Sequence, residues 1–292
     1  MTIAIFGNPF PEHFKKYIQH LIKKLEGEQI KIIVEEKFNG FLKKHIRFNN
    51  KTATFNSNET LINNANFLFS IGGDGTLLKA VTLVKDSNIP IMGINTGRLG
   101  FISSISAGQI DDAINDILKG NYNINERILL ELKTKNKLFK DKNFALNEVA
   151  ITKKDTSSMI RIDAYVDDEF LNTYWADGLV VSTPTGSTGY SLSCGGPIIM
   201  PGTNNIIITP NAPHNLNVRP IVIKDNSIVK LKVEDRDQLA LVSLDSRSRA
   251  FNSDIEIIIR KTDFKIKLIE PQNNSFTSTI RNKLMWGLDK RQ

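Results

Sequence analysis

Cysteine is nearly absent. Cys194 is the single one in 292 residues, which excludes an intramolecular disulfide framework and suits a reducing compartment. Histidine is also scarce. His13, His20, His45 and His214 are dispersed without ligand spacing, so no zinc site is expected and no Ser-His-Asp order can be argued from them. No apolar run approaches the ~20 residues that cross a bilayer. Residues 2–6 are too short for a signal-peptide core, and charge follows them. The basic residues form no arginine-rich arm and do not interleave with aromatics, so a nucleic-acid footprint is lacking. Neither GxxxxGK[ST] nor GxGxxG occurs, and there is no internal repeat or low-complexity segment. The expectation is a soluble cytoplasmic protein with neither a membrane nor a nucleic-acid partner.

What is present suits a small anionic ligand or an ordinary solvated surface. The net charge is +7, from 38 basic and 31 acidic residues, and 40% of the chain is hydrophobic. The length suggests two domains at about 150 residues each.

The chain is organised around residues 67–79, FLFSIGGDGTLLK. An apolar run ends at Gly72-Gly73-Asp74-Gly75-Thr76, and a helical pattern follows over 77–85. This spacing predicts strand, glycine turn, helix. The glycines admit positive φ and close ligand approach. Thr76 is the expected N-cap, and the turn N–H groups with the helix N-terminus form an anion site. Asp74 sits in the middle of it. A carboxylate repels phosphate, so it either takes a proton from an attacking hydroxyl or holds Mg²⁺ against phosphates. Both jobs suggest phosphoryl transfer. The alternative is an Asx-type turn in which Asp74 bonds neighbouring N–H groups, and the pentapeptide leaves both readings open.

Strands are expected at 2–7, 30–34, Phe67–Ile71 and 89–94, with helices at 12–26, 77–85 and 110–118, the last closing at Gly120. Alternation of this kind implies a parallel sheet with helices on its faces and a ligand beyond the carboxyl ends of the strands. Residues 35–60 have no clear pattern. After Gly120 the period changes to short alternating runs at 122–134, Ile160–Val166, 228–233, Leu239–Leu244 and 255–268, read as mostly β, sandwich-like or a coiled sheet. Residues 281–288 are expected to form a short helix or hook with Trp286 packing back on the body. The expected domains are 1–120, 121–275 and a tail at 276–292.

Residues 177–197, DGLVVSTPTGSTGYSLSCGGP, hold an apolar strand leading into a stretch rich in hydroxyls and glycine. Such a loop can satisfy a polar ligand without adding charge. Val180, Val181, Tyr190 and Leu192 ask for burial, and a buried polar loop must have its hydrogen bonds met. Asn147 and Glu148 stand in the otherwise apolar FALNEVA, suited to an adenine edge and ribose hydroxyls, or simply to a strand end with Asn in a turn. Cys194 reads as a packing residue rather than a nucleophile.

Taken together, GGDGT at 72–76, GINTGRLGF at 93–101, LNEV at 146–149, DGLVVSTPTGST at 177–188, GYSLSCGGP at 189–197 and KLMWG at 283–287 resemble the NAD kinase family, the ATP-dependent enzymes that make NADP. GGDGT alone is shared with lipid kinases and phosphofructokinases. The 177–197 run is far more specific. The resemblance implies an α/β Rossmann-like N-terminal domain with a parallel sheet, a mostly β C-terminal domain, an active site in the cleft between them, and a homodimer or homotetramer. It implies ATP and NAD as substrates and a divalent cation, Mg²⁺ being expected, with no protein metal ligand singled out. Asp74 would be the base for the 2′-hydroxyl of the adenosine ribose, within a phosphate-binding turn of Gly72, Gly73, Gly75 and Thr76. Lys79 would contact ligand. Asn147 and Glu148 would meet adenine and ribose, and Asp177 the nicotinamide end. Thr188, Gly189, Tyr190, Ser191, Leu192 and Ser193 would line the dinucleotide pocket, with Ala212 at a further contact position.

The chain departs from the family pattern in places. Gly189 stands where Ala is usual, giving a looser turn. Arg247 falls where an uncharged polar residue is common, and would touch the substrate diphosphate or be solvated. Ser158 and Trp175 are not the usual contact types, which leaves the choice between NAD and NADH open. Two other functions share these features: a lipid or sugar kinase with the same glycine turn, and a dinucleotide-binding protein without catalysis. The polar 182–193 loop argues against the lipid, and Asp74 against mere binding.

Overall fold

The computed structural model describes the whole chain except residues 98–99, 104, 155–157, 235–238, 253–254, 271–274 and 287–292. Two compact units result, Met1–Glu126 with Ile266–Gln292, and Arg127–Lys265.

The first unit is built from β1 (Thr2–Gly7), α1 (Lys15–Gly27), β2 (Lys31–Glu35), α2 (Glu36–His45), β3 (Ala53–Phe55), α3 (Asn58–Ile62), β4 (Phe67–Ile71), α4 (Asp74–Val84), β5 (Ile91–Ile94) and α5 (Ile110–Lys119). Its strands are all parallel, in the order β3-β2-β1-β4-β5. Period-2 alternation sends Ile3, Ile5, Phe69, Ile71, Met92 and Ile94 into one core with Ile18, Leu21, Ile22 and Leu25 of α1 and Ile110 and Ile114 of α5. The chain starts at the middle strand, winds outward to β3, then returns to the other side of β1. That puts a topological switch point between the ends of β1 and β4, where ligands of such sheets bind.

The unpatterned stretch 35–60 holds α2, β3 and α3. It escapes a periodicity reading because each element is short and α2 buries a polar residue, Asn39, beside Phe38 and Leu42. Glu35 caps α2 by accepting from the Phe38 N–H. Gly120 does close α5, with φ 74.

The second unit is all antiparallel. It includes β6 (Asn123–Lys133, shared across the boundary), β7 (Phe144–Ala145), β8 (Glu148–Lys153), β9 (Ile160–Val166), β10 (Glu169–Ala176), β11 (Gly178–Ser182), the short α6 (Tyr190–Ser193), β12 (Asn205–Asn211), β13 (Ile221–Lys224), β14 (Val229–Glu234), β15 (Leu239–Leu244), β16 (Arg247–Asn252) and β17 (Ile257–Glu270, whose last residues from Ile266 belong to the first unit). One sheet runs β13-β12-β11-β8-β15-β16, and the opposing layer pairs β10-β9-β14-β17. Val149, Ile151, Leu179, Val181, Ile206 and Ile208 face Ile160, Ile162, Leu231, Val233 and Ile257 in a shared core. Of the two expected β arrangements, it is the sandwich that forms.

The expected tail helix is α7 (Phe276–Leu284), in the first unit, which begins five residues before 281 and is capped by Ser275 accepting from the Ser278 N–H. Thr279 and Ile280 are buried, but Trp286 is 56% exposed, so the tryptophan does not pack back as expected. Its helix has already ended at Met285, which is in the left-handed conformation. Among the described residues no helix is long and apolar enough to cross a membrane.

Candidate active site

The predicted site residues fall into two groups, one in each unit. In the first, β4 ends at Ile71 and α4 begins at Asp74, three residues earlier than the periodicity implies. Gly73, not Thr76, is the N-cap. Thr76 lies inside the first turn, buried, and its hydroxyl accepts from the Asn8 amide at 2.9 Å. The same Asn8 donates its backbone N–H to the Ile71 carbonyl, joining the ends of β1 and β4 at the switch point. Of the three glycines in the turn, Gly72 alone has positive φ, at 151°, and a Cβ there would overlap the Thr76 side chain. Gly73 and Gly75 leave open space where a Cβ would be. Lys79 is on the exposed side of α4.

Asp74 is not bonded to its immediate neighbours. Its Oδ2 accepts from the Phe101 N–H at 2.8 Å, and its Oδ1 from Ile102 at 3.2 Å and Ser103 at 2.9 Å. The glycine turn and the loop after β5 are thus tied through one carboxylate, and the Ser103 hydroxyl adds a bond to the Gly72 carbonyl. Gly100 is packed against this carboxylate so closely that any Cβ would overlap it. The resemblance stretch 93–101 therefore meets the 72–76 stretch in space, although Arg98 and Leu99 lie outside the described residues.

In the second unit the 144–150 stretch is broken at Asn147, which agrees with the strand-end reading. β7 stops at Ala145 and β8 starts at Glu148, leaving Leu146 and Asn147 between them. Thr183, at the end of β11, takes both carbonyls of the break: its N–H donates to Asn147 O at 2.9 Å and its hydroxyl to Leu146 O at 2.6 Å. The N–H groups of Leu146, Asn147 and Glu148 all donate to the Asp245 carboxylate. Two buried side-chain acceptors at this spot, Asn147 Oδ1 and Glu148 Oε2, have no partner among the described residues. Burial and then the Asp245 charge push the Glu148 carboxyl up to about 8, against a bond from the Tyr190 backbone that lowers it. Burial likewise pushes the Asp245 carboxyl above its ordinary value.

The hydroxyl-rich loop is partly structural. Thr183, Ser187 and Ser191 are fully buried, with Ser187 bonding Pro184 O and Ile199 O and Ser191 meeting the Thr209 hydroxyl at 2.9 Å. Ser191 therefore turns its side chain onto β12. Thr188, Gly189, Tyr190 and Leu192 are half-buried and Ser193 is exposed. A Cβ at Gly189 would stand 3.0 Å from Glu148 Oε2 and 3.5 Å from the Asn147 amide nitrogen, which places residue 189 directly against the unpartnered pair. Val180 and Val181 are buried as expected.

The Tyr190 hydroxyl accepts from the Asn211 amide at 2.9 Å, and Ala212 follows with φ 46. Asp177 lies opposite, its N–H bonded to Asn211 O and its carboxylate paired with Lys153 at 2.6 Å. Asp177, Tyr190 and Ala212 thus share one end of β11 and β12. Trp175 is 47% exposed and Ser158 half-buried. Cys194 follows α6, and burial pushes its thiol up, in keeping with a packing role.

Arg247 is half-buried. Its guanidinium donates to Lys142 O at 2.6 Å and to Phe144 O, and lies over the Phe144 ring. Asn8, Gly100 and Asp245 are further residues of the two groups, beyond those expected from sequence. Asn8 carried a signal, a polar residue at a strand end before proline, whereas Asp245 reaches its partners across almost a hundred residues.

Residues 3–122 match the model of the ATP-NAD kinase N-terminal domain, and residues 146–271 that of the ATP-NAD kinase C-terminal domain. The chain belongs to the NAD kinase family. NAD kinases of Cytophaga hutchinsonii and Flavobacterium psychrophilum are each 48% identical to it, over the whole of both chains. Among solved structures, the Archaeoglobus fulgidus NAD kinase in complex with ATP aligns with a TM-score of 0.76 at 26% identity, covering 98% of this chain and 99% of that one. Yeast NADH kinase complexed with NADH aligns with a TM-score of 0.88 at 23% identity, covering 99% and 89%, a likeness of fold. Both family domains are thus α/β and β-rich as expected, and the matched ranges take in the glycine turn and the Asn147–Glu148 pair alike.

Proposed function

We propose that this chain transfers the γ-phosphoryl group of ATP to the 2′-hydroxyl of the adenosine ribose of NAD, giving NADP. Family membership over the full length supports the reaction, and the placement of Asp74 carries the mechanism. A ribose hydroxyl is a poor nucleophile and the phosphoryl-transfer state is loose and anionic, so alignment and charge stabilisation dominate. In the first turn of α4 the Thr76 N–H is bonded to Gly73 O, while N–H groups at a helix start such as those of Asp74 and Gly75 suit phosphate oxygens. A carboxylate has about four acceptor sites. Three on Asp74 are taken by Phe101, Ile102 and Ser103. That hold orients the group and leaves about one site for the incoming hydroxyl, whose proton it takes.

The donor set suits a hard cation that arrives on the triphosphate. Such an ion uses one or two carboxylates plus phosphates, and among the described residues no group of three or more His, Cys, Asp or Glu forms a protein cage. Mg²⁺ bound there would neutralise charge on the phosphates, with Asp74 the acid of the turn. In the second unit, Asn147 Oδ1 and the Glu148 carboxyl are the polar groups offered to the adenosine end of NAD.

A coupled assay for NADP, with purified protein, NAD, ATP and Mg²⁺, tests the reading. Wild type is expected to turn over, and Asp74→Asn to lose about 10²–10⁴-fold in kcat, the usual worth of general-base help. Wild-type protein that binds NAD but forms no NADP would leave the non-catalytic reading. An Asp74→Asn variant with near-full kcat would remove Asp74 as the base.

A further inference from the structure

The turn between β15 and β16 is moulded onto one short segment. Asp245 is there in a left-handed conformation, φ 51, and its N–H donates to Glu148 O at 3.1 Å. Its Oδ1 accepts from the N–H of Asn147 at 2.8 Å and of Glu148 at 3.3 Å, and its Oδ2 from Leu146 at 3.1 Å. Two residues on, Arg247 donates to the carbonyls of Lys142 and Phe144. With Thr183 holding the carbonyls of Leu146 and Asn147, the backbone of the break is bonded on both sides. Among the described residues, what stays unpartnered here is Asn147 Oδ1 and Glu148 Oε2, on residues that are themselves pinned. Buried polar groups in native proteins are mostly met, and a ligand is one way to meet these.

Stability alone does not account for the choice of group. A buried carboxylate beside Glu148 sets like charges close together, and both acids are pushed up by their surroundings. An acid is nevertheless the side chain that can gather three converging N–H donors. We propose that Asp245 is a positioning residue for NAD, fixing the Leu146–Glu148 backbone so that the polar ends of Asn147 and Glu148 face the adenosine end of the dinucleotide. This rests on the reading of Asn147 and Glu148 as dinucleotide contacts. It also assigns Arg247 to the same task from the carbonyl side.

Asp245→Asn is the informative change. The amide oxygen keeps an acceptor, while its nitrogen meets a backbone N–H and loses that bond, and the negative charge is gone. The expected result is a KM for NAD raised about tenfold or more, with kcat and the KM for ATP within about threefold of wild type. The pH at which kcat/KM for NAD inflects should also fall, because removing the neighbouring charge lets Glu148 ionise more readily. The groups facing Glu148 are Asp245, with Arg247 beside it, from the turn, and Tyr190 and Cys194 from α6 and the residue after it.

A mutant cycle against an Asn147→Ala/Glu148→Gln background completes the test. If Asp245 acts through this pair, adding Asp245→Asn to that background raises the KM for NAD no further. Additive effects, or equal rises in KM for NAD and ATP, overturn the positioning role while leaving the dinucleotide reading intact. A Glu148→Gln variant with an unchanged KM for NAD overturns that reading, and the positioning role with it.

Discussion

Glu148→Gln should make the unliganded protein more stable at alkaline pH, by an amount the structure sets. In the unfolded chain this carboxyl titrates near its ordinary 4.5, and in the fold at about 8, mainly because it is buried and secondarily because Asp245 is near. Below pH 4.5 both states carry the proton and the group does not oppose folding. Between 4.5 and 8 the unfolded chain has released a proton that the folded one still holds. Folding stability therefore falls with rising pH, by about 1.4 kcal/mol per pH step. The loss is on the order of 3 kcal/mol by pH 7 and 5 kcal/mol above pH 8, where both states are ionised and the fall stops. Glutamine is neutral throughout. The stability difference between Glu148→Gln and wild type should rise steadily from pH 5 to 8 in favour of the variant, then level off. Urea unfolding of both proteins at five pH values, without NAD, measures it directly. Asp245 titrates in both proteins, so its own contribution largely cancels. A difference that is flat across this range, or that favours wild type as pH rises, would refute a buried, proton-holding Glu148.

Three further outcomes are expected. Gly100→Ala should cost at least about 10²-fold in NADP formation, since its Cβ displaces the Asp74 carboxylate, whereas Gly108→Ala, with open space around it, should keep full rate. Gly72→Ala should lower Tm measurably, because φ 151 and the overlap with Thr76 together store roughly 1–3 kcal/mol or more of strain; thermal unfolding reads it. Lys153→Met removes the partner of Asp177 at a half-exposed site, so stability should change by no more than about 1 kcal/mol, and a raised KM for NAD would mark Asp177 as a ligand contact.

The residues that could be read in the sequence are those whose partners are close along the chain. Phe67–Ile71 followed by three glycines in four positions announces strand, turn and helix, since hydrophobic period and glycine tolerance are local properties. The start of α4 was displaced because Gly73 and Thr76 can both cap a helix. Gly72's φ of 151 and the bond from Asn8 decide for Gly73, and Asn8 comes from a strand end 68 residues away. The alternation in the second half shows as β from sequence, but two sheets rather than one curled sheet is settled by which faces share a core. Trp286, expected to pack back on the body, is exposed, one residue past Met285, where its helix ends.

By itself the sequence determined the switch from an α/β to a β half, the glycine turn with its acid, and the two residues, Asn147 and Glu148, that stand out from an apolar run. Tertiary structure decided what those residues do. It gave Asp74 three backbone donors from residues 27 to 29 positions further on, and it set Asp245 under Asn147 from 98 positions away. It also gave Arg247 two carbonyls to hold, those of Lys142 and Phe144. A carboxylate or guanidinium takes its role from the groups that surround it, and those groups are assembled by chain crossings that no local pattern records.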